Sequence, residues 1–207
     1  MKEKWNRWLP VVFVVLFAVS RTPKLLPPNF SAAYGFAFCA GVYFTGAMAW
    51  WLPLATMAGV DVALNVFYYH TSPFALYLVL NYVVYAALIG LGRWFGQRAS
   101  FLKLLSGGLL GAILFYLVTN TLAWLQDPAY LKTLAGWIQA LTRGHPEIHP
   151  STWEMFRNTL LSGGAFTALF AGAAKLTAPE ESPADKTAGA REEETEDHEA
   201  PEEAKAQ

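Results

Sequence analysis

The chain has 207 residues, of which 54% are hydrophobic and 15% charged, with a formal net charge of −1. A soluble domain usually carries about a quarter charged residues. The near-zero net charge also hides two unlike regions: residues 178–207 hold 11 acidic and 3 basic side chains, net −8, and residues 1–177 hold 5 and 12, net +7. This pattern excludes an ordinary soluble globule and a basic nucleic-acid binder, and the single cysteine, Cys39, excludes an internal disulfide framework or a cysteine metal site.

A helix needs about 20 mostly apolar residues to cross a bilayer core, and six segments qualify or come close. The first, Trp8 to Ser20, follows the basic residues Lys2, Lys4 and Arg7. It lacks the small-x-small cleavage site of a signal peptide, and further apolar segments follow, so it reads as an uncleaved span. The second is Ser31 to Phe44, and the third runs from Ala47 to about Val60 with Pro53 inside, where a kink is expected. The fourth is Pro73 to Leu91, the fifth Leu102 to Leu125 and the sixth Met155 to Leu176. Lys and Arg in the short loops favour the N-terminus inside, and an even number of spans returns the C-terminus to the same side. Residues 178–207 lack apolar periodicity and are rich in Glu, Ala, Pro and Thr, the composition of a disordered tail. The expected fold is therefore all-α: a six-helix integral membrane bundle over residues 1–177, followed by a disordered acidic C-terminal tail over 178–207.

Small residues recur every fourth position at Ala33, Ala37 and Gly41, at Gly107 and Gly111, and at Gly164, Ala168 and Gly172. Such stripes allow close helix packing in lipid, within the bundle or against a partner. Polar groups in apolar segments are costly and mark sites. Here they gather at one face. Arg21, Asn29 and Ser31 follow the first span, and Asp61 and Asn65 end the third, with Tyr68, Tyr69 and His70 beyond. Thr119, Asn120, Thr121 and Trp124 lie late in the fifth, Tyr130 and Lys132 follow it, and Arg157, Asn158 and Thr159 open the sixth. Asp61 near hydrocarbon calls for a cationic partner, Arg21 or Lys132. Aromatics and asparagines together suit small-molecule capture. The ligand-site candidates are Asp61, Asn120, Trp124, Tyr130, Lys132, Arg21 and Asn29. Asn29 and Asn158 also fit helix N-caps.

Catalysis has no sequence support. No phosphate loop, nucleophile elbow or paired-carboxylate motif occurs. His145 and His149 have the i, i+4 spacing of a zinc pair, but Pro146 and Pro150 place them in a loop. The chain is read as a non-enzyme with no cofactor and no metal.

Several motifs in order resemble those of an uncharacterised bacterial membrane family, a domain of unknown function, from about Arg21 to Ala174. They are Pro28-Asn29-Phe30, Pro53-Leu54, Met57 to Asp61, Phe115 to Asn120 with Trp124, Tyr130 to Thr133 with Gly136, and Asn158-Thr-Leu160. Members of that family look like the S components of energy-coupling-factor vitamin transporters. The likeness implies six helices, both termini cytoplasmic and a ligand pocket near the outer face of the bacterial inner membrane. It further implies a membrane coupling subunit and an ATPase as partners. S components usually dock through a small-residue stripe on the first helix. Here the first span is bulky, Val11 to Ala18, the stripe lies on the second, and the loop Gly144 to Pro150 is more polar than expected. The function read from the sequence is capture of a small molecule from the extracytoplasmic side for uptake. The alternative is a structural or assembly protein that binds another membrane protein through its small-residue faces.

Overall fold

The computed structural model describes residues 2–73, 76–145, 147 and 150–177; residues 178–207, and with them the expected acidic tail, lie outside it. Among the described residues the chain is all-helical, with no strand. The helices are α1 (Lys2–Ser20), α2 (Ala33–Tyr43), α3 (Met48–Ala63), α4 (Leu76–Phe95), α5 (Phe101–Gln126), α6 (Leu134–Thr142) and α7 (Thr152–Thr177). Six coincide with the expected segments. The seventh, α6, lies between the fifth and sixth expected segments, where Thr133 starts a helix by accepting a hydrogen bond from the Gly136 N–H at 3.2 Å.

Among the described residues four helices are long and apolar enough to cross a membrane: Met48–Tyr68, Leu78–Phe95, Phe101–Gln126 and Thr152–Leu176. The apolar part of α1, Trp8–Ser20, and the whole of α2 are shorter than a bilayer core. α2, with 11 residues, is enclosed by the other helices. Ala33 to Val42 are all buried, and the helix contacts α1, α3, α4, α5 and α7. A helix that is apolar all round belongs in a core.

Close packing depends on missing side chains. A Cβ on Gly41 would lie 2.0 Å from the Ile89 carbonyl oxygen, and one on Gly92 2.0 Å from that of Phe38. The α2 and α4 backbones therefore approach as closely as glycine allows. A Cβ on Gly108 would meet Thr167 at 2.1 Å and one on Gly163 would meet Ala112 at 2.6 Å, which seats α5 on α7. These small-residue faces are consumed inside the bundle. The α2 stripe is covered by neighbouring helices of the same chain.

Phenylalanines lock α1 to this core. Phe13 packs on Phe170 with ring centroids 4.1 Å apart, and Phe17 stacks on Phe36 at 5.4 Å. Outward-facing Val11, Val15 and Val19 are exposed along the other side of α1. α3 includes Pro53, and a π turn over Leu64–Tyr68 follows it. There the Tyr69 N–H reaches back five residues to the Leu64 carbonyl at 2.8 Å.

Candidate functional site

One end of the bundle holds a cavity of about 490 Å³. That is within the range of small-molecule sites, roughly 300–1,000 Å³. It lies where α1 ends, α2 begins, α3 ends, α4 begins and α5 approaches its end. Its polar lining is Arg21 and Asn29 from the α1–α2 loop, Asp61, Asn65 and Tyr69 from the end of α3, Asn81 and Tyr85 from α4, and Thr119 and Asn120 from α5. Tyr34, Leu64, Leu78, Phe115 and Ala123 complete the wall.

Each group is held by local structure. The Ser20 hydroxyl donates to the Phe17 carbonyl at 2.7 Å and accepts from the Ala32 N–H at 3.0 Å, which ties the end of α1 to the start of α2. The intervening loop is pinned to α7, because the Asn158 side chain donates to the Pro28 carbonyl at 2.9 Å. Asn158 is therefore a tether inside α7 and not an N-cap. Asn29 is not one either: it has φ +61°, a left-handed conformation that asparagine tolerates, and the residue capping α2 is Ala32.

Asp61 is the centre of the polar network. One of its oxygens accepts from the Arg21 guanidinium at 2.7 Å and the other from the Tyr82 hydroxyl at 2.8 Å. Three elements, the end of α1, α3 and α4, thus meet at one carboxylate. Lys132 takes no part. Burial works against the Arg21 charge, but the oxygens of Tyr85 and Asp61 more than offset it, so its pKa lies above the ordinary value. Arg21 Nε is buried without a hydrogen-bond partner among the described residues. On the aromatic side, Tyr85 stacks on Phe115 at 5.1 Å and 16°, and Tyr34 leans on Phe115 at 4.8 Å. Asn120 donates to the Tyr116 carbonyl at 2.9 Å, which leaves its own oxygen without a partner among the described residues.

Trp124, Tyr130 and Lys132 lie outside this cavity, in a second cluster that closes the α5–α6 loop. Lys132 donates to the Trp124 and Asp127 carbonyls, placing a cation at the C-terminal end of α5, where the helix dipole favours it. Its ammonium also sits 5.9 Å from the centre of the Trp124 ring. The Trp124 indole N–H donates to the Leu131 carbonyl at 2.9 Å. Tyr130 is buried against His145, with ring centroids 4.4 Å apart, and His145 Nε2 is 2.7 Å from an Asp127 oxygen. Burial and the Asp127 charge raise the Tyr130 pKa. The Ala129 N–H first, and His145 second, hold Asp127 below the usual carboxylate range. A Cβ on Gly136 would strike the Leu131 carbonyl at 2.0 Å, so the loop needs glycine there. His149 is outside the described residues, and among those described no group of three or more His, Cys, Asp or Glu is placed to hold a metal.

The sequence profile of a family of unknown function, DUF6580, matches residues 1–185. The chain belongs to that family. No curated protein and no solved structure gave a match.

In this DUF6580 protein the sequence reading overlooked α4 as a source of site residues. Leu78, Asn81 and Tyr85 fall on one helical face, with Tyr82 beside them reaching Asp61. The available signal was an asparagine and tyrosines at helical spacing inside an apolar run. Tyr34, four residues after Phe30, was missed in the same way.

Proposed function

We propose that this DUF6580 protein is a multi-pass membrane protein of six spans with both termini on the cytoplasmic side. It captures a small molecule from the extracytoplasmic side, as an S-component-like subunit does, and hands it to an energising partner for uptake. One observation carries this reading: residues remote in sequence, Arg21, Asn29, Asp61, Asn81, Tyr85 and Asn120, converge on a single cavity at one end of an apolar bundle. Polar groups are costly in such surroundings and mark functional sites there. Two short helices fit the same reading, α1 capped on its inner flank by basic residues and α2 sheltered by its neighbours.

The deciding experiment is native mass spectrometry of the full chain in lipid nanodiscs. A small molecule retained by the wild type and lost from Asn120→Leu is expected. Wild type carrying nothing, or both carrying it equally, would count against the cavity as its site. The assembly alternative predicts a stoichiometric membrane partner lacking an ATPase on purification in mild detergent. The energised-uptake reading predicts a complex that includes one.

A further inference from the structure

The chemistry of the cavity narrows its occupant, on the premise that the cavity is the ligand site. Among the described residues lining it, Arg21 and Asp61 are the formally charged ones, and they neutralise each other at 2.7 Å. Tyr82 satisfies the second carboxylate oxygen. The two charges cancel, so an ion of either sign meets little net attraction in the cavity while giving up its own hydration. Breaking such a pair from one side leaves an uncompensated charge in low dielectric. The electrostatics therefore select against either sign.

The hydrogen-bonding capacity that remains comes from the Arg21 nitrogens that Asp61 does not take and from neutral amides and hydroxyls. Asn81 and the Tyr85 hydroxyl make no hydrogen bond to protein among the described residues, and the Asn120 oxygen is open. Asn29 adds a group at the exposed rim. Opposite requirements come from the rest of the wall, where the aromatic run Tyr34–Phe115–Tyr85 is buried and continuous. A polyol carries hydroxyls on all sides, and most would be left unpaired against these rings. A flat ring with two or three polar edge atoms can extend the aromatic stack and spend its few donors and acceptors on the open amides and hydroxyl. We infer that the cavity takes an electroneutral, flat heteroaromatic molecule whose edge carries amide-like donors and acceptors.

The test uses the full chain in lipid nanodiscs and four probes at pH 7: theophylline and 2-quinolone as neutral lactam rings, urate as a charged purine of similar shape, and myo-inositol as a neutral polyol. At least one neutral ring is expected to bind one per chain, at least tenfold more tightly than urate or inositol. Asn81→Leu should weaken it tenfold or more, and Tyr85→Phe by a smaller factor, with unchanged thermal unfolding reporting that each variant folds. Urate binding as tightly as the rings would overturn the neutrality argument, and inositol doing so would overturn the ring. No binding of either lactam, or binding indifferent to Asn81→Leu, also defeats the inference. The cavity reading itself stands or falls separately, on the endogenous molecule seen by native mass spectrometry in wild type and lost in Asn120→Leu.

Discussion

Asp61 shows how one residue can join structure and site. Its carboxylate holds the end of α1 and the start of α4 while facing the cavity. Removing it in Asp61→Ala strands the Arg21 guanidinium. One-sided loss of a buried pair costs about 3–5 kcal/mol, and since a third of the Arg21 side chain is exposed the expected loss is lower, about 1–3 kcal/mol. The double variant Arg21→Met/Asp61→Leu should recover most of that stability in thermal unfolding, yet lose the ligand. If the double variant is less stable than the single one, the pair is not acting as an isolated neutralised unit. Asp127 offers a pH test. Its folded pKa is depressed, so its stabilisation of the α5–α6 loop is complete above the ordinary carboxylate pKa and is lost as pH falls through the lower folded value. Protection of the Ala129 amide from hydrogen exchange, taken relative to its intrinsic rate at each pH, should fall on acidification in that window, and Asp127→Asn should remove that fall. The need for a partner to Asp61 was legible from its place in an apolar segment. Which of Arg21 and Lys132 supplied it was not, because each is one loop away in a direction the sequence leaves open.

Elements differ in how much a missing side chain matters. Gly41 and Gly172 belong to similar small-residue stripes, but a Cβ at Gly41 would overlap the Ile89 carbonyl whereas one at Gly172 meets nothing within 4 Å. Gly41→Ala should therefore lower stability by about 1–3 kcal/mol through forced separation of α2 and α4. Gly172→Ala should be neutral or stabilising by up to about 1 kcal/mol, since alanine is the better helix former. Unfolding midpoints in one detergent would compare them, and an equal effect of both would contradict the packing described. The stripes themselves were readable by spacing. Which ones face protein depends on the register between helices, and no local pattern encodes that. The same limit explains Trp124, Tyr130 and Lys132. Their residue types suit ligand contact as well as loop closure, and the fold turns them into a cap for α5 with the Lys132 ammonium on its terminal carbonyls.

At the scale of the whole molecule, the proposed six crossings make a sharp prediction. In Cys39→Ala background, Lys24→Cys and Lys103→Cys should label with a membrane-impermeant maleimide from opposite sides of intact cells, Lys24→Cys from outside. Removing Cys39 is a precaution, since that thiol is fully buried. Labelling of both from one side would contradict the topology. The sequence by itself determined that the chain is helical and apolar enough for a membrane, and roughly where six of its seven described helices run, with α6 left out. Those properties follow from composition and hydrophobic run length, which are local. Only the tertiary structure decided that α2 is the sheltered centre, that α4 supplies Asn81, Tyr82 and Tyr85, and that Arg21 rather than Lys132 meets Asp61. These are contacts between positions far apart in the chain, fixed by how close two backbones can come and which faces they turn to each other, and neither quantity is carried by any single segment.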